Sequence, residues 1–423
     1  MPHIEFPYGK DKIRCYIPDD KFKGELVSQI NYYKSGYSQE ETVRNAMENP
    51  IGTPRLSVMA EKAEKAVIIA SDHTRPVPSK IIIPQILAEI RKGNPNADIT
   101  ILIATGCHRE TTKNELENKF GRNIYENEKI VIHDCDKSDM VSLGKMPSGG
   151  EIVINKIAAD SDLLVSEGFI EPHFFAGFSG GRKSVMPGIA SRETVMYNHN
   201  AEFIANRNAR TGVIKNNPIH EDMLYAARIA KLAFICNVIL NSKKEIIYAV
   251  AGNCDLAHTE GCNFLNSKCK AGKIEADIVI STNGGYPLDQ NIYQAVKGMT
   301  AAEATVKKGG VIIMLAKSND GHGGDEFYKT FSEEKNLEII LNNLISKPKD
   351  QTRADQWQSQ IFARVLRHAK VIYVSDAPDE MVAELHMIPA HSLNEAIKIA
   401  EKTLGNTKAS ITAIPDGVAV IVE

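Results

Sequence analysis

Short, mostly apolar runs recur along the chain and alternate with segments whose apolar residues fall three and four positions apart. Val67–Ala70, Ile99–Ala104, Ile130–His133 and Leu163–Ser166 are such runs, each bounded by polar or turn-forming residues, which is how strands buried in a parallel sheet read. Between the first two, Ser79–Lys92 has apolar residues at helical spacing; between the second and third, Thr112 and Glu115 stand at capping-box spacing and Gly121 offers a stop. A second set predicts strands at Ile278–Ser281, Val311–Leu315 and Val371–Val374. One helix is expected from a Thr300 and Glu303 cap to Gly309 and Gly310, another from a Ser392 and Glu395 cap to Gly405. Residues 410–422 read as a hairpin around Pro415, Asp416 and Gly417, and Ile13–Ile17 as an early strand stopped by Pro18. The fold class that follows is α/β, with two α/β domains of mostly parallel sheet: residues 1–270 and residues 271–423, joined where Asn, Ser, Lys and Gly accumulate over 260–280.

Composition narrows the function classes. The 423 residues suffice for two or three domains at ~150 residues each, and 43% hydrophobic with 24% charged residues is an ordinary globular balance. Fifty Lys and Arg against 53 Asp and Glu leave a net charge of -3, so neither nucleic acid nor a membrane surface is an expected partner. The seven cysteines are odd in number and lack a CxxC pair, and Cys254, Cys262 and Cys269 fit no zinc spacing; reduced thiols are expected. Residues 1–10 show no apolar signal-peptide region and no run of about 18 apolar residues occurs, so a cytoplasmic location is the expectation.

In an open α/β sheet ligands bind beyond the carboxyl ends of the strands, and those positions are chemically rich here. Ser71, Asp72, His73, Thr74 and Arg75 follow the first strand, Thr105, Gly106, Cys107, His108 and Arg109 the second, and Glu171, Pro172 and His173 the fourth. One loop histidine is more often solvated than catalytic; three on one predicted rim reverse that balance. The segment EPHFFAGFSGGRKSVMPG at 171–188 has Gly177, Gly180 and Gly181 for close backbone approach, but Arg182 stands where a P-loop needs glycine before Lys183 and Ser184. Lys183 suits either phosphate binding or covalent attachment. Ser191 opens a predicted helix carrying Tyr197 and His199, and a metal held there would have few protein ligands. In the second domain Gly284, Gly285, Tyr286 and Pro287 precede a helix expected from Asp289, on which Tyr293, Gln294 and Lys297 share a face and form a carboxylate clamp. His133, Asp134, Cys135 and Asp136 read as polar punctuation after a strand, since neighbours on an extended chain point to opposite sides. His220 falls in the first turn of a helix and is assigned no role. Gly321–Gly324 reads as a mobile loop.

Together SDHTRP at 71–76, TGCHR at 105–109, the 171–188 segment, the His199 segment and YQAVKG at 293–298 resemble the nickel-dependent lactate racemase family over most of the chain. The resemblance implies an isomerase that interconverts D- and L-lactate by hydride transfer to a nickel-pincer pyridinium mononucleotide, through a bound pyruvate, in a cleft between the two domains. It implies Lys183 as the covalent tether and His199 as the one protein ligand to nickel. It further implies Asp72, His73, Thr74 and Arg75 as cofactor contacts and His108 and His173 as the acid/base pair. Arg75, Tyr293, Gln294 and Lys297 are then the substrate contacts, and proteins of cofactor biosynthesis the partners. The alternatives are a racemase or epimerase of another 2-hydroxy acid (malate, aryl or longer-chain), a non-enzymatic phosphate or nucleotide binder using the 177–184 loop, and a zinc hydrolase, for which third and fourth ligands are lacking.

Overall fold

Two six-stranded sheets organise the chain in the computed structural model, which describes residues 3–423. The first lies in a unit made of Ile30–His199 and Asn206–Ser267. Its strands run, from one edge, Lys129–Ile132, Asp98–Ala104, Lys65–Ser71, Leu163–Phe169, Leu232–Leu240 and Ile246–Gly252. Only the last pairs antiparallel; the others are parallel. All four strands expected in this part of the sequence are present. The helix Ser79–Gly93 presses Ile82, Ile83, Ile86 and Ile90 onto Ile68, Ile101, Ile103 and Val165, each such side chain contributing about 1.5–3 kcal/mol by leaving water. Thr112 and Glu115 exchange both capping-box bonds at the start of Lys113–Phe120, and Gly121 ends that helix at φ 81°.

The chain lays down its first three strands outward from Lys65–Ser71, then returns to place Leu163–Phe169 on the other side of it. The reversal between these two strands opens a crevice at their carboxyl ends, where α/β sheets bind ligands. Loops 71–76 and 170–184 leave from its two walls.

The second unit consists of the described residues up to Gln29 with Asn200–Ala205 and Lys268–Glu423. Its sheet is parallel throughout, in the order Ile388–Ala390, Lys370–Val374, Val306–Leu315, Ala276–Thr282, Ile411–Ile414, Phe22–Glu25. The sequence parse gave residues 1–29 and 200–205 to the first domain. Residues 22–25 instead close this sheet's edge, and Ile4, Phe6, Cys15 and Ile17 join its core.

Three local expectations are corrected. Asn291, whose side chain accepts from Gln294 N–H, caps a helix Ile292–Glu303, so Thr300 lies in its last turn and Gly309 and Gly310 lie in a strand. Asp289 starts no helix: its Oδ2 accepts from the N–H groups of Gly9 and Lys317. Residues 410–422 are not a hairpin, because Ile411–Ile414 pairs parallel inside the sheet while Ile421–Val422 pairs parallel with Lys270–Ala271. The stretch at 260–280 opens with the last turns of the helix Leu256–Cys269, and the division between the two units falls inside it, at Ser267–Lys268. Among the described residues no helix is long and apolar enough to cross a membrane.

Candidate active site

The loop after Lys65–Ser71 is folded around Asp72, which is buried. Its Oδ1 accepts from Thr74 N–H (3.1 Å) and Thr74 Oγ1 (2.6 Å), and its Oδ2 lies 2.7 Å from His108 Nδ1. Burial raises the Asp72 carboxyl, but the bonds from His108 and Thr74 and the Arg75 charge more than offset this and hold it below the ordinary carboxylate range. A carboxylate only accepts, so Nδ1 of His108 carries the proton and Nε2 is left as the working nitrogen. Arg75 Nη1 donates to Thr74 Oγ1 at 2.8 Å. His73 turns aside: its Nδ1 meets Thr111 Oγ1 at 3.0 Å and Glu115 at 3.9 Å. Burial lowers its imidazolium form.

The second cluster belongs to the segment after Leu163–Phe169. Pro172–His173 and Gly177–Phe178 pair antiparallel, and Gly181–Ser184 makes one turn of 3-10 helix that presents Lys183. Lys183 Nζ stands 3.1 Å from His173 Nε2. The N–H of Ala176 donates to His173 Nδ1 at 3.2 Å, so the ring proton of a neutral His173 sits on Nε2, where Lys183 can accept it once its ammonium has lost a proton. An accepting amine is the nucleophilic form. Phe175 joins the parts: its ring lies 4.5 Å from that of His173 and 5.1 Å from that of His199, both edge-on, with Lys183 Nζ 5.7 Å above it. His199 closes the helix Arg192–Asn198, which Ser191 caps. Burial, with the Lys183 charge, pushes His199 down to about 3, so it is a neutral imidazole, the form that ligates metals.

The turn bearing Lys183 is pinned from beneath by Arg182, which is wholly buried. Arg182 donates to Ala176 O (2.8 Å), Gly180 O (3.2 Å) and Ser179 O (3.4 Å) and meets His258 Nε2 at 2.9 Å. Gly181, at φ 53°, packs so tightly that a Cβ there would lie 2.7 Å from the His258 ring. Gly181→Ala combines left-handed strain with overpacking and is expected to lower stability by about 2–4 kcal/mol; thermal unfolding checks it, and an unchanged midpoint would contradict the packing described.

Asp72, Arg75, His108, Lys183 and Ser184 line one recess of about 140 Å³. Glu167 also lines it, as the one ionisable residue of the strand Leu163–Phe169. It accepts from Ser79 Oγ (2.6 Å) and Ser71 N–H (3.3 Å), and burial pushes its carboxyl up against the opposing Lys119 charge. Lys119 donates to Arg75 O at 3.2 Å, so Glu167 and Lys119 hold opposite ends of the 71–75 loop. Lys119 and His258 were absent from the predicted set, having no distinguishing sequence signal; Glu167 carried one, an ionisable residue in an apolar run.

Tyr293, Gln294 and Lys297 lie on Ile292–Glu303 in the other unit, half-buried, as the helical spacing required. Tyr293 donates its hydroxyl to Asp355 at 2.9 Å and packs edge-on to Phe327. At 134–136 the expectation of an extended strand end is corrected: the chain turns, bringing the ligand atoms of Asp134, Cys135 and Asp136 within 4.8 Å of one another. Arg192 already occupies Asp136 at 2.6 and 2.7 Å, and Asp134 Oδ1 takes the N–H groups of Asp136 and Lys137.

The chain matches the family model of the lactate racemase N-terminal domain over residues 8–212 and that of the C-terminal domain over residues 271–422. It is 54% identical, over 100% of its own length and 99% of the relative's, to a lactate racemase of Thermoanaerobacterium thermosaccharolyticum. It is 52% identical, over 100% of both chains, to one of Lactiplantibacillus plantarum. The chain belongs to the lactate racemase family. The lactate racemase apoprotein of T. thermosaccharolyticum superposes with a TM-score of 0.96 at 52% identity, covering all of both chains. The resemblance drawn from the five motifs is thus the family found by whole-chain comparison.

Proposed function

We propose that this chain is a lactate racemase, an isomerase that interconverts D- and L-lactate. Likeness to two lactate racemases at 54% and 52% identity over the whole chain carries the reaction. Two histidines with different fixing partners support the way it runs. His108, oriented by Asp72, and His173, beside Lys183, come from separate loops, so each can serve one face of C2. In this reading one takes the lactate hydroxyl proton as base and the other returns a proton as acid. Arg75 holds the substrate carboxylate, and Gln294 and Lys297, with Tyr293 behind them, supply carboxylate contacts from their helix.

We further propose a nickel-pincer nucleotide as the cofactor. The donor set suits it: an amine at Lys183, beside His173, for the covalent tether and a neutral, buried imidazole at His199 for nickel, with Asp72, Thr74 and Arg75 as further contacts. His73, turned toward Thr111, is the weakest member of that set. When bound, the group would supply a hydride acceptor, which spares the substrate a C2 carbanion. The chain's own residues orient lactate, exclude water and handle the hydroxyl proton.

The test uses protein produced alongside its cofactor-synthesis proteins. D-lactate deuterated at C2 is expected to racemise more slowly than the unlabelled acid, with malate and mandelate turned over poorly or not at all. Equal rates for labelled and unlabelled lactate would remove hydride transfer from the rate-limiting chemistry, and faster turnover of another acid would reassign the substrate.

A further inference from the structure

The helix Ile292–Glu303 presents Tyr293, Gln294 and Lys297 from its first turns, and the N–H groups of its first three residues are all taken. Ile292 N–H donates to Gly321 O at 3.1 Å, Tyr293 N–H to His322 O at 3.0 Å and Gln294 N–H to Asn291 Oδ1 at 2.9 Å. A helix start whose amides are spent does not bind an anion through them. An acid bound here is held by side chains, and their placement decides the affinity.

Tyr293 is fixed from a second direction. Its hydroxyl donates to Asp355 Oδ1 at 2.9 Å, its carbonyl accepts from Gln358 Nε2, and its ring lies edge-on to Phe327 with centroids 5.5 Å apart. Gly324 packs against the same ring, where a Cβ would lie 3.2 Å from Tyr293 Cδ2. Asp355 stands at the N-cap of the helix Gln356–His368, where an aspartate side chain ordinarily accepts from N–H groups of the first turn. It makes no such bond, and its backbone is left-handed, at φ 62° and ψ 0°. An aspartate that forgoes its cap in a conformation few L residues adopt has its carboxylate directed elsewhere, and here it meets Tyr293. Strain of this kind persists where the surroundings over-determine it, and it gathers at binding and catalytic sites.

The bond also defines what the tyrosine can do. Burial and the Asp355 charge push the Tyr293 hydroxyl well above its ordinary range, so it keeps its proton. That proton is committed to Asp355, and toward a ligand the oxygen can only accept. On this helix the donors for a carboxylate are therefore Gln294 and Lys297. Tyr293 and Lys297 stand four residues apart on one helix face, so a ring released from Asp355 is free to turn across its neighbours.

We propose that Asp355 is a positioning residue for lactate binding: its carboxylate fixes Tyr293, and Tyr293 so held keeps Gln294 and Lys297 open to the substrate carboxylate. The proposal rests on the reading of Gln294 and Lys297 as substrate contacts.

Asp355→Gly is the informative variant, because glycine adopts the left-handed backbone without strain and the substitution removes only the carboxylate. In protein produced alongside the cofactor-synthesis proteins it should raise KM for both enantiomers by about tenfold, the worth of one hydrogen bond to a charged group, and leave kcat near wild type. Asp355→Asn, whose amide oxygen can accept from the Tyr293 hydroxyl, should keep most of the wild-type affinity. Tyr293→Phe should raise KM comparably, and combining it with Asp355→Gly should raise KM no further, since both break the same bond. A crystal structure of the Asp355→Gly apoprotein should show the Tyr293 ring displaced or in more than one position. A loss confined to kcat, additive effects of the two substitutions, or a Tyr293 ring in its wild-type place would overturn the proposal. Lys297→Ala separates the two levels of the argument. An unchanged KM in Asp355→Gly beside a raised one in Lys297→Ala counts against Asp355 alone, whereas an unchanged KM in both counts against the reading of this helix as a substrate contact.

Discussion

Asp72→Asn is expected to lower lactate racemisation by about 10²–10⁴-fold, the range of a lost general acid–base contribution. The substitution keeps the shape of the side chain and can still accept from Thr74 N–H and Thr74 Oγ1. What it loses is the carboxylate that fixes the proton on His108 Nδ1 at 2.7 Å. An asparagine amide facing that nitrogen can donate, which would place the proton on Nε2 and leave the wrong nitrogen free. The loss should fall on kcat more than on KM, because Arg75 and the helix carrying Gln294 and Lys297 remain. It should be equal in kcat/KM for the two directions, since the enantiomers have equal free energies. The same residue gives a stability signature. Its folded carboxyl titrates below the unfolded value, so its contribution is present above about pH 4 and is lost as pH falls through the lower, folded value. Asp72→Asn should lack that part of the acid limb of unfolding. Near-normal turnover in a correctly folded Asp72→Asn protein would show that His108 needs no orienting carboxylate.

Local signals in the sequence reported faithfully wherever a side chain competes with nothing distant. The Thr112–Glu115 box and the Ser392 cap are satisfied within four residues, and both helices begin where spacing put them. Thr300 and Glu303 have the same spacing, yet Asn291 has already capped that helix nine residues earlier. Gly309 and Gly310 look like a helix stop but sit in a strand, where Gly310 is needed because a Cβ would lie 2.6 Å from Asp277 O. Phe22–Glu25 and Ile411–Ile414 are beyond such reading: their partners are each other, nearly the whole chain apart. At the site, the histidine-bearing loops were legible because parallel strands deliver their following residues to one rim. The Arg182 support was not, since a buried arginine beside a lysine looks like a solvated basic pair until Ala176, Gly180 and His258 are found around it.

Lys183→Ala is expected to abolish covalent cofactor attachment altogether and to reduce racemisation to background. The chemical loss should come without a folding loss, because the turn at 181–184 does not depend on the amine. Arg182 anchors it through Ala176 O, Gly180 O and His258, Gly181 N–H donates to Asn237 Oδ1 at 2.6 Å, and Ser184 Oγ donates to Gly181 O at 2.9 Å. Lys183→Arg is the sharper comparison. It keeps a cation in the turn beside His173 but replaces an amine that can accept from Nε2 with a guanidinium that can only donate, so it too should carry no adduct. His199→Ala should behave differently, retaining the tether at Lys183 while losing nickel. Intact mass spectrometry with elemental analysis, on each protein produced alongside the cofactor-synthesis proteins, separates these outcomes. An adduct persisting on Lys183→Ala would move the attachment point elsewhere. Nickel retained at wild-type stoichiometry by His199→Ala would show that the buried imidazole is packing against Phe175 and ligates nothing.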